Sequence, residues 1–516
     1  MKSKNGWIEN KEHTTRLINF RHYAKKWLQH LRVTKFKGAI MFINGQWKNA
    51  ETGNTFTVLN PATGETIAMV PDGGEKEARL AVAAAHDAFD KWSTQTAYQR
   101  SDFLYQAHGL MMDNLEHLAQ TMTQEQGKPI KAARNEVKYG ADFLLWFAEE
   151  AKRVYGRTIP SARSDQRFMV LKQPVGVVGA ITPWNYPVSM ITRKVAPALA
   201  AGCTIVLKPA EATPLCAIEV FKLLEKAGLP PGVANLVTAK DPGPVGEVFM
   251  TDERVRKLTF TGSTKVGKML ARGAAAQMKR VSLELGGHAP FIVCKDADPV
   301  HAAKGLSLLK FLNTGQACIS PNRIFVHESM KAPFLKELST RVSKMKAGPG
   351  NEAGVSIGPL VNDIAIEKVD NQVKDAVEKG ADLVTGGFRL MEDNLDKGHF
   401  YAPTILDNVT PEMLIYREET FGPVAPIITY KDEKELLKMA NDTHYGLAAY
   451  IYTQSLSKAM LLFEGLRFGI IGINDINPTS AAAPFGGMKE SGMGREGAME
   501  GIEEYLETKL GGFSLK

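Results

Sequence analysis

The sequence predicts an α/β protein whose main sheet is parallel and covered on both faces. Two patterns carry that expectation. Between residues 175 and 285 short, continuously apolar runs alternate with amphipathic helical stretches, as repeated β-α-β units with doubly buried strands require. One of these runs, 257–261, passes directly into a Gly/Ser turn and a helix start, and parallel sheets take their ligands at such strand ends. The length leaves room for more: 516 residues with 44% hydrophobic side chains allow about three domains or lobes at roughly 150 residues each, with a core that needs no disulfide or structural metal.

Taken in order, residues 1–40 form a basic leader. They hold ten of the 63 Lys/Arg and two of the 56 Asp/Glu, so a net +8 lies there and −1 remains for everything from Met41 onward. A nucleic-acid groove needs clustered positive charge in the folded body, so no nucleic-acid partner is expected unless the leader alone supplies one. The leader has no apolar core or small-residue cleavage site, and Glu9 and Glu12 argue against an organellar presequence. It reads as a solvated extension or a start codon placed too early, with the fold opening at Met41.

Leu80, Ala84, Ala88 and Trp92 recur at helical spacing and predict a helix over 75–93. A second amphipathic stretch runs over 98–126 until Gly127-Lys128-Pro129 stops it, and a third over 130–155 completes a helical lobe. Strands follow at 175–182, 203–208, 233–238, 255–261 and 281–285, with helices at 189–201, 214–228 and 264–275 between them. A second α/β block has strands at 289–294 and 323–327 and helices at 299–310, 331–345 and 364–379. Segments 166–172 and 505–514 alternate polar and apolar residues and are expected as exposed edge strands suited to subunit pairing. The longest apolar run, 195–207, is stopped by Lys208 well short of the roughly 18 residues a membrane span needs. Four cysteines without CxxC spacing suggest reduced thiols in a cytoplasmic protein.

Gly262-Ser263-Thr264-Lys265-Val266-Gly267-Lys268 approaches the phosphate-binding P-loop, but Met269 stands where the Mg²⁺-binding hydroxyl belongs, so an NTPase is excluded. What survives is a helix start that attracts phosphate through free N–H groups and its dipole, the alternative being a plain helix cap. Cys203, Cys216 and Cys294 lie in apolar elements, whereas Cys318 lies in a small-polar, glycine-containing turn. A nucleophile needs that access and those backbone donors, although an incidental loop cysteine would look the same. Glu284 interrupts an apolar strand before Gly286-Gly287; it is either a general base with a raised pKa or a salt-bridged core residue. Asn185, between Pro183 and Pro187, is a stiffly held amide that could donate to an oxyanion or simply shape the turn.

With ITPWNYP (181–187), KPAE (208–211), FTGST (260–264), LELGG (283–287), GQAC (315–318), EETFGP (418–423) and PFGGMKESGMGREG (484–497) in order, the chain resembles the aldehyde dehydrogenase superfamily, most closely its succinate-semialdehyde dehydrogenase branch. The likeness runs from about Phe42 to the end of the sequence. It implies a Rossmann-type parallel-sheet cofactor domain (41–151 and 175–286), an α/β catalytic domain (287–490) and a small β oligomerisation flap (152–174 and 491–516). By the same resemblance Cys318 is the nucleophile, Asn185 with the Cys318 N–H the oxyanion hole, and Glu284 the base that hydrolyses the thioester. Cofactor contacts are implied for Trp184, Asn185, Lys208, Glu211, Gly262, Ser263, Leu285, Glu419 and Phe421. Glu211 would accept from a 2′-hydroxyl and repel a 2′-phosphate, so NAD is expected, with NADP weaker. No metal is implied, and the partners would be a small aldehyde and further copies of the chain, as homodimer or homotetramer.

The substrate is where the chain departs from that branch. Of its two carboxylate-binding arginines one matches Arg193, but the other position holds Leu312. Ser320 stands where the branch often has a second, redox-active cysteine, and the polar loop 474–480, with Asn474, Thr479 and Ser480, would line the substrate tunnel. Succinate semialdehyde or another small anionic or hydroxylated aldehyde, such as 3-sulfolactaldehyde, is the expected substrate. A non-catalytic structural or binding protein on the same fold is the reading from another class.

Overall fold

Five parallel strands make the centre of the first sheet, in the spatial order Ala234–Leu236, Thr204–Lys208, Val177–Ile181, Val255–Thr261, Arg280–Glu284. The chain therefore starts in the middle, runs outward to one side, then returns to build the other, which is the doubly wound arrangement. Antiparallel additions extend both edges: Met41–Ile43 with Gln46–Lys48 beside Ala234–Leu236, and Gly492–Met493 beside Arg280–Glu284. Helices Ser189–Ala201 and Pro214–Lys226, backed by the helical lobe, cover one face, while Glu75–Ser93, Gly243–Thr251 and Thr264–Ala275 cover the other. The structure, a computed structural model, describes residues 40–515; the expectation of a solvated basic leader falls outside the described residues.

The helical lobe differs from expectation at one point. The stretch 98–126 is two helices, Ala97–Asp113 and Leu115–Gln126, because the Asn114 side chain donates to the Leu110 carbonyl at 2.7 Å and the chain turns there. Such a side chain competes with the backbone for the helical acceptor. Gly127, at φ 88°, then ends the second helix with a left-handed cap.

A second sheet of seven strands follows, ordered Asp382–Thr385, Thr404–Asp407, Val424–Tyr430, Pro321–His327, Ala289–Val293, Ala448–Tyr452, Ile470–Ile473. All its neighbours are parallel except the first pair. The five of these strands beyond residue 380 were not anticipated from the sequence.

A third sheet corrects one expectation. The strand Gln166–Pro174 is not an edge: it lies between Arg157–Ile159 and Leu506–Ser514, paired antiparallel to the latter along its whole length. Burial alternates along it, but the outward side carries the apolar Met169 and Leu171, and the neighbour comes from the far end of the chain. Segment 491–516 accordingly divides, with Gly492–Met493 in the first sheet and Leu506–Ser514 in this small one. Among the described residues no helix is long and apolar enough to cross a membrane, and no cluster of three His, Cys, Asp or Glu could hold a metal ion.

Candidate active site

Strand order reverses between Val177–Ile181 and Val255–Thr261, and the residues following two such strands stand at the crevice the reversal creates. After the first come Trp184 and Asn185; after the second come Gly262, Ser263 and the helix Thr264–Ala275. Glu284 ends the neighbouring strand, in register with Thr261.

Cys318 reaches this crevice through a tight run-in. Past the helix Pro299–Lys310 the chain takes three consecutive left-handed residues, Asn313 (φ 49°), Thr314 (φ 58°) and Gly315 (φ 74°). That conformation strains a β-branched threonine, and side chains hold it in place. The Thr314 hydroxyl donates to the Gly358 carbonyl (3.0 Å), and the Asn313 amide donates to the carbonyls of Asn185 (3.0 Å) and Gln316 (3.2 Å). Gln316 in turn donates to the Asn313 and Pro359 carbonyls. A Cβ on Gly315 would stand 2.1 Å from the Gly422 carbonyl oxygen, so only glycine closes this turn.

The segments that carry the three expected chemical groups meet around that turn. The Asn185 amide donates to the Gln316 carbonyl at 3.1 Å, two residues before Cys318. Gly287, three residues after Glu284, approaches the other side so closely that a Cβ there would lie 2.2 Å from the Cys318 carbonyl oxygen. The Tyr450 hydroxyl secures the next residue, donating to the Ile319 carbonyl at 3.0 Å.

Cys318 is half-buried, while Cys203, Cys216 and Cys294 are buried. Burial pushes the Cys318 thiol up to about 12; the Arg193 guanidinium opposes that, and Glu419 and Glu284 add to it. Glu284 is held well above the carboxylate range by burial and by Glu496, against Lys194, Arg193 and Arg495, and its Oε2 has no hydrogen-bond partner among the described residues. Glu496 lies below the ordinary range: burial would raise it, but Lys194 and Arg193 outweigh burial. Two adjacent carboxyls driven apart in this way suit acid–base work.

On the cofactor side, Ser263 caps the helix Thr264–Ala275 by accepting from the Val266 N–H (3.4 Å), and such a helix start attracts phosphate. Gly262 is tied by its N–H to the Glu284 carbonyl (3.0 Å), and Leu285 packs under the helix at Gly267. Trp184 and Phe421 meet edge to face with ring centroids 5.6 Å apart. Glu419 accepts from the Gly287 N–H (2.9 Å), and burial pushes its carboxyl up to about 7 against the pull of that N–H. Lys208, buried at a strand end, donates to the exposed Glu211 at 3.1 Å. A phosphate-attracting helix start, two carboxylates able to accept ribose hydroxyls and an aromatic pair fit a dinucleotide.

A sequence profile of the Aldehyde dehydrogenase family matches residues 47–510. The chain belongs to the aldehyde dehydrogenase family. Among relatives of this dehydrogenase, the mitochondrial succinate-semialdehyde dehydrogenase of Oryza sativa subsp. japonica is 50% identical over 467 residues, covering 90% of this chain and 88% of that protein. The 3-sulfolactaldehyde dehydrogenase of Pseudomonas putida is 48% identical over 474 residues, covering 91% and 96%. The crystal structure of an E. coli NADP-dependent enzyme superposes with a TM-score of 0.91 at 46% identity, covering 93% of this chain and 98% of that one.

The residues expected on the substrate side differ in burial. Arg193 is fully buried: it donates to the Tyr139 hydroxyl (3.0 Å), lies 3.6 Å from Glu496 and stacks 4.0 Å above the Phe485 ring, leaving its Nε without a partner among the described residues. Leu312 is 43% exposed. Asn474 accepts from the Thr453 N–H at 3.1 Å and donates to the Thr453 carbonyl at 2.8 Å, which braces the loop and uses one of its two amide hydrogens and one of its two oxygen lone pairs. Thr479 is half-buried and Ser480 exposed.

Sequence reasoning missed several residues of this dehydrogenase. Lys194 donates to Glu496 (2.6 Å) and Thr259 (3.1 Å), and Lys128 bonds both Glu136 and the Asn185 carbonyl. Glu496 stood in a motif already singled out, and a carboxylate beside glycines in such a motif was the available signal.

Proposed function

We propose that this protein oxidises a small anionic aldehyde to the free acid through a cysteine thioester, with NAD preferred over NADP. The observation that carries the reading is the meeting of the Cys318 turn with the Asn185 amide and with the Gly287 end of the segment carrying the buried Glu284, whose charge acts on the Cys318 thiol. The Cys318 sulfur attacks the aldehyde carbon, and the Asn185 amide with the Cys318 N–H holds the resulting oxyanion. A bound nicotinamide cofactor supplies the hydride acceptor. Glu284 then takes a proton from the water that cleaves the thioester, and Cys318 is released. Trp184, Phe421, Leu285 and Glu419 would seat the nicotinamide half, Gly262 and Ser263 the phosphates, and Lys208 with Glu211 the adenine ribose. The E. coli enzyme it resembles is named NADP-dependent, but the exposed Glu211 carboxylate favours NAD because it repels a 2′-phosphate.

Two relatives named for anionic aldehydes and the unpartnered Arg193 Nε support the substrate class, with Thr479 and Ser480 as hydroxyl contributors. Leu312 in place of a second arginine favours a hydroxylated substrate such as 3-sulfolactaldehyde as the second reading. The exposed Met169, Leu171, Leu510 and Phe513 of the small third sheet support assembly as a homo-oligomer. The test is cofactor reduction with succinate semialdehyde, 3-sulfolactaldehyde and propanal, each with NAD and NADP. Higher kcat/KM for the two anions with NAD is expected, with all activity lost in Cys318→Ala; equal rates with propanal would overturn the anion preference.

A further inference from the structure

Lys310 is a buried cation to which the proposed mechanism gives no part. Lys128, Lys194, Lys208 and Lys257 are about as deeply buried, and each faces a carboxylate in an ion pair. Lys310 has no such partner among the described residues; its ammonium donates to the Asn322 side-chain oxygen at 2.8 Å. A lysine left without an ion pair in the interior is costly compared with an apolar residue, so packing alone does not explain it.

The bond to Asn322 closes a loop. Lys310 ends the helix before Cys318, and Asn322 lies near the start of the strand Pro321–His327 after it, so the two side chains staple together both ends of the segment that carries the nucleophile. From Asn322 the bonds run on in one direction. Its amide donates to the Gly287 carbonyl (3.4 Å), and the Gly287 N–H donates to Glu419 (2.9 Å). Each step passes from donor to acceptor, beginning at a cation and ending at a carboxylate, the order in which hydrogen bonds reinforce one another. Burial brings the Lys310 ammonium down to about 7, opposed by Glu419. Burial likewise pushes the Glu419 carboxyl up to about 7, opposed by the Gly287 N–H, Lys368 and Lys310. The other titratable groups within reach of the pair are His288, on which Lys310 acts, and Cys318 and Tyr445, on which Glu419 acts.

We propose that Lys310 is a positioning residue for the cofactor, acting through Asn322 and Gly287 on the Glu419 carboxylate that receives the nicotinamide ribose. It rests on Glu419 as a cofactor contact in the proposed function. An ionised Glu419 is the stronger acceptor for a ribose hydroxyl, and the cation at the far end of the row favours that charge. Affinity is therefore full above the carboxyl's titration and lost as the pH falls through it; without the cation the loss begins at higher pH. The same bonds brace the loop of Cys318, so cofactor and nucleophile are held against one frame.

The test is the affinity of the full chain for NAD, followed by tryptophan quenching from pH ~9 down to ~6, in Lys310→Met and Asn322→Asp. Removing the cation, or setting a second carboxylate beside it, should move the midpoint of the affinity loss upward by about half a pH unit or more and weaken binding about twofold at pH ~7. Asn322→Asp reports the same quantity if Lys310→Met does not fold. A midpoint equal to the parent's, even with affinity lowered evenly at every pH, would make Lys310 a structural residue and overturn the proposal. Glu419→Gln separates this from the ribose assignment. A flat curve there beside an unmoved midpoint in Lys310→Met sinks the role of Lys310 alone, whereas a parental curve in Glu419→Gln removes Glu419 from the ribose and the proposal with it.

Discussion

Burial and the neighbouring Glu496 hold the Glu284 carboxyl well above the usual carboxylate range. A carboxyl raised in this way is suited to take a proton from water, so removing it should separate the two halves of the reaction. Glu284→Gln is expected to keep one burst of reduced cofactor per site and to slow turnover by ~10²-fold or more, measured by rapid mixing; normal turnover would dismiss the role. Glu419 gives a pH prediction. Its carboxyl sits at about 7, and a ribose hydroxyl donates best to the ionised form. Cofactor affinity should therefore be full above that value and fall as the pH drops through it. Tryptophan quenching on cofactor binding measures this, with Glu419→Gln expected to flatten the curve. An unaltered affinity from pH ~8 down to ~6 would detach Glu419 from the ribose.

The turn at Asn313–Gly315 is the element on which the nucleophile depends. With the Gly422 carbonyl 2.1 Å from any added Cβ, Gly315→Ala must push two backbones apart, an overpacking that costs about 1–3 kcal/mol and displaces Cys318. Urea unfolding and iodoacetamide labelling of Cys318 would register both effects; parental values in both would show that the turn yields freely. This element was only half legible from the sequence. The small-polar run around Cys318 announced a turn, but nothing about Thr314 announces a left-handed threonine, since its own preference opposes it and the Gly358 carbonyl that holds it is remote. Helices such as Ser189–Ala201, Thr264–Ala275 and Pro299–Lys310 were legible because their periodicity or caps are local. So was the hairpin at Asn44-Gly45, whose left-handed pair is a hairpin signal that the sequence reading passed over. What stayed hidden was pairing: nothing in 166–174 names its neighbour Leu506–Ser514, and the Lys194–Glu496 bond spans 302 positions.

Across the whole molecule, the C-terminal segment finishes work begun near the N-terminus. Glu496 is the counter-charge to two buried cations, Lys194 and Arg193. Breaking a buried ion pair costs about 3–5 kcal/mol, so Glu496→Gln should lower unfolding free energy by roughly that amount in urea titrations; a change within error would mean the cations have found other acceptors. The same topology constrains how the protein is made. Gln166–Pro174 emerges from the ribosome long before Leu506–Ser514, its full-length neighbour, has been translated. Until then a nine-residue strand shows unpaired N–H and C=O groups on that side, the kind of edge on which nascent chains stick to one another. Chains arrested before residue 492 should therefore recruit holdase chaperones and stay open to protease at 166–174, whereas chains extended past 514 should resist cleavage there; equal resistance in both would show that the early strand finds shelter on its own.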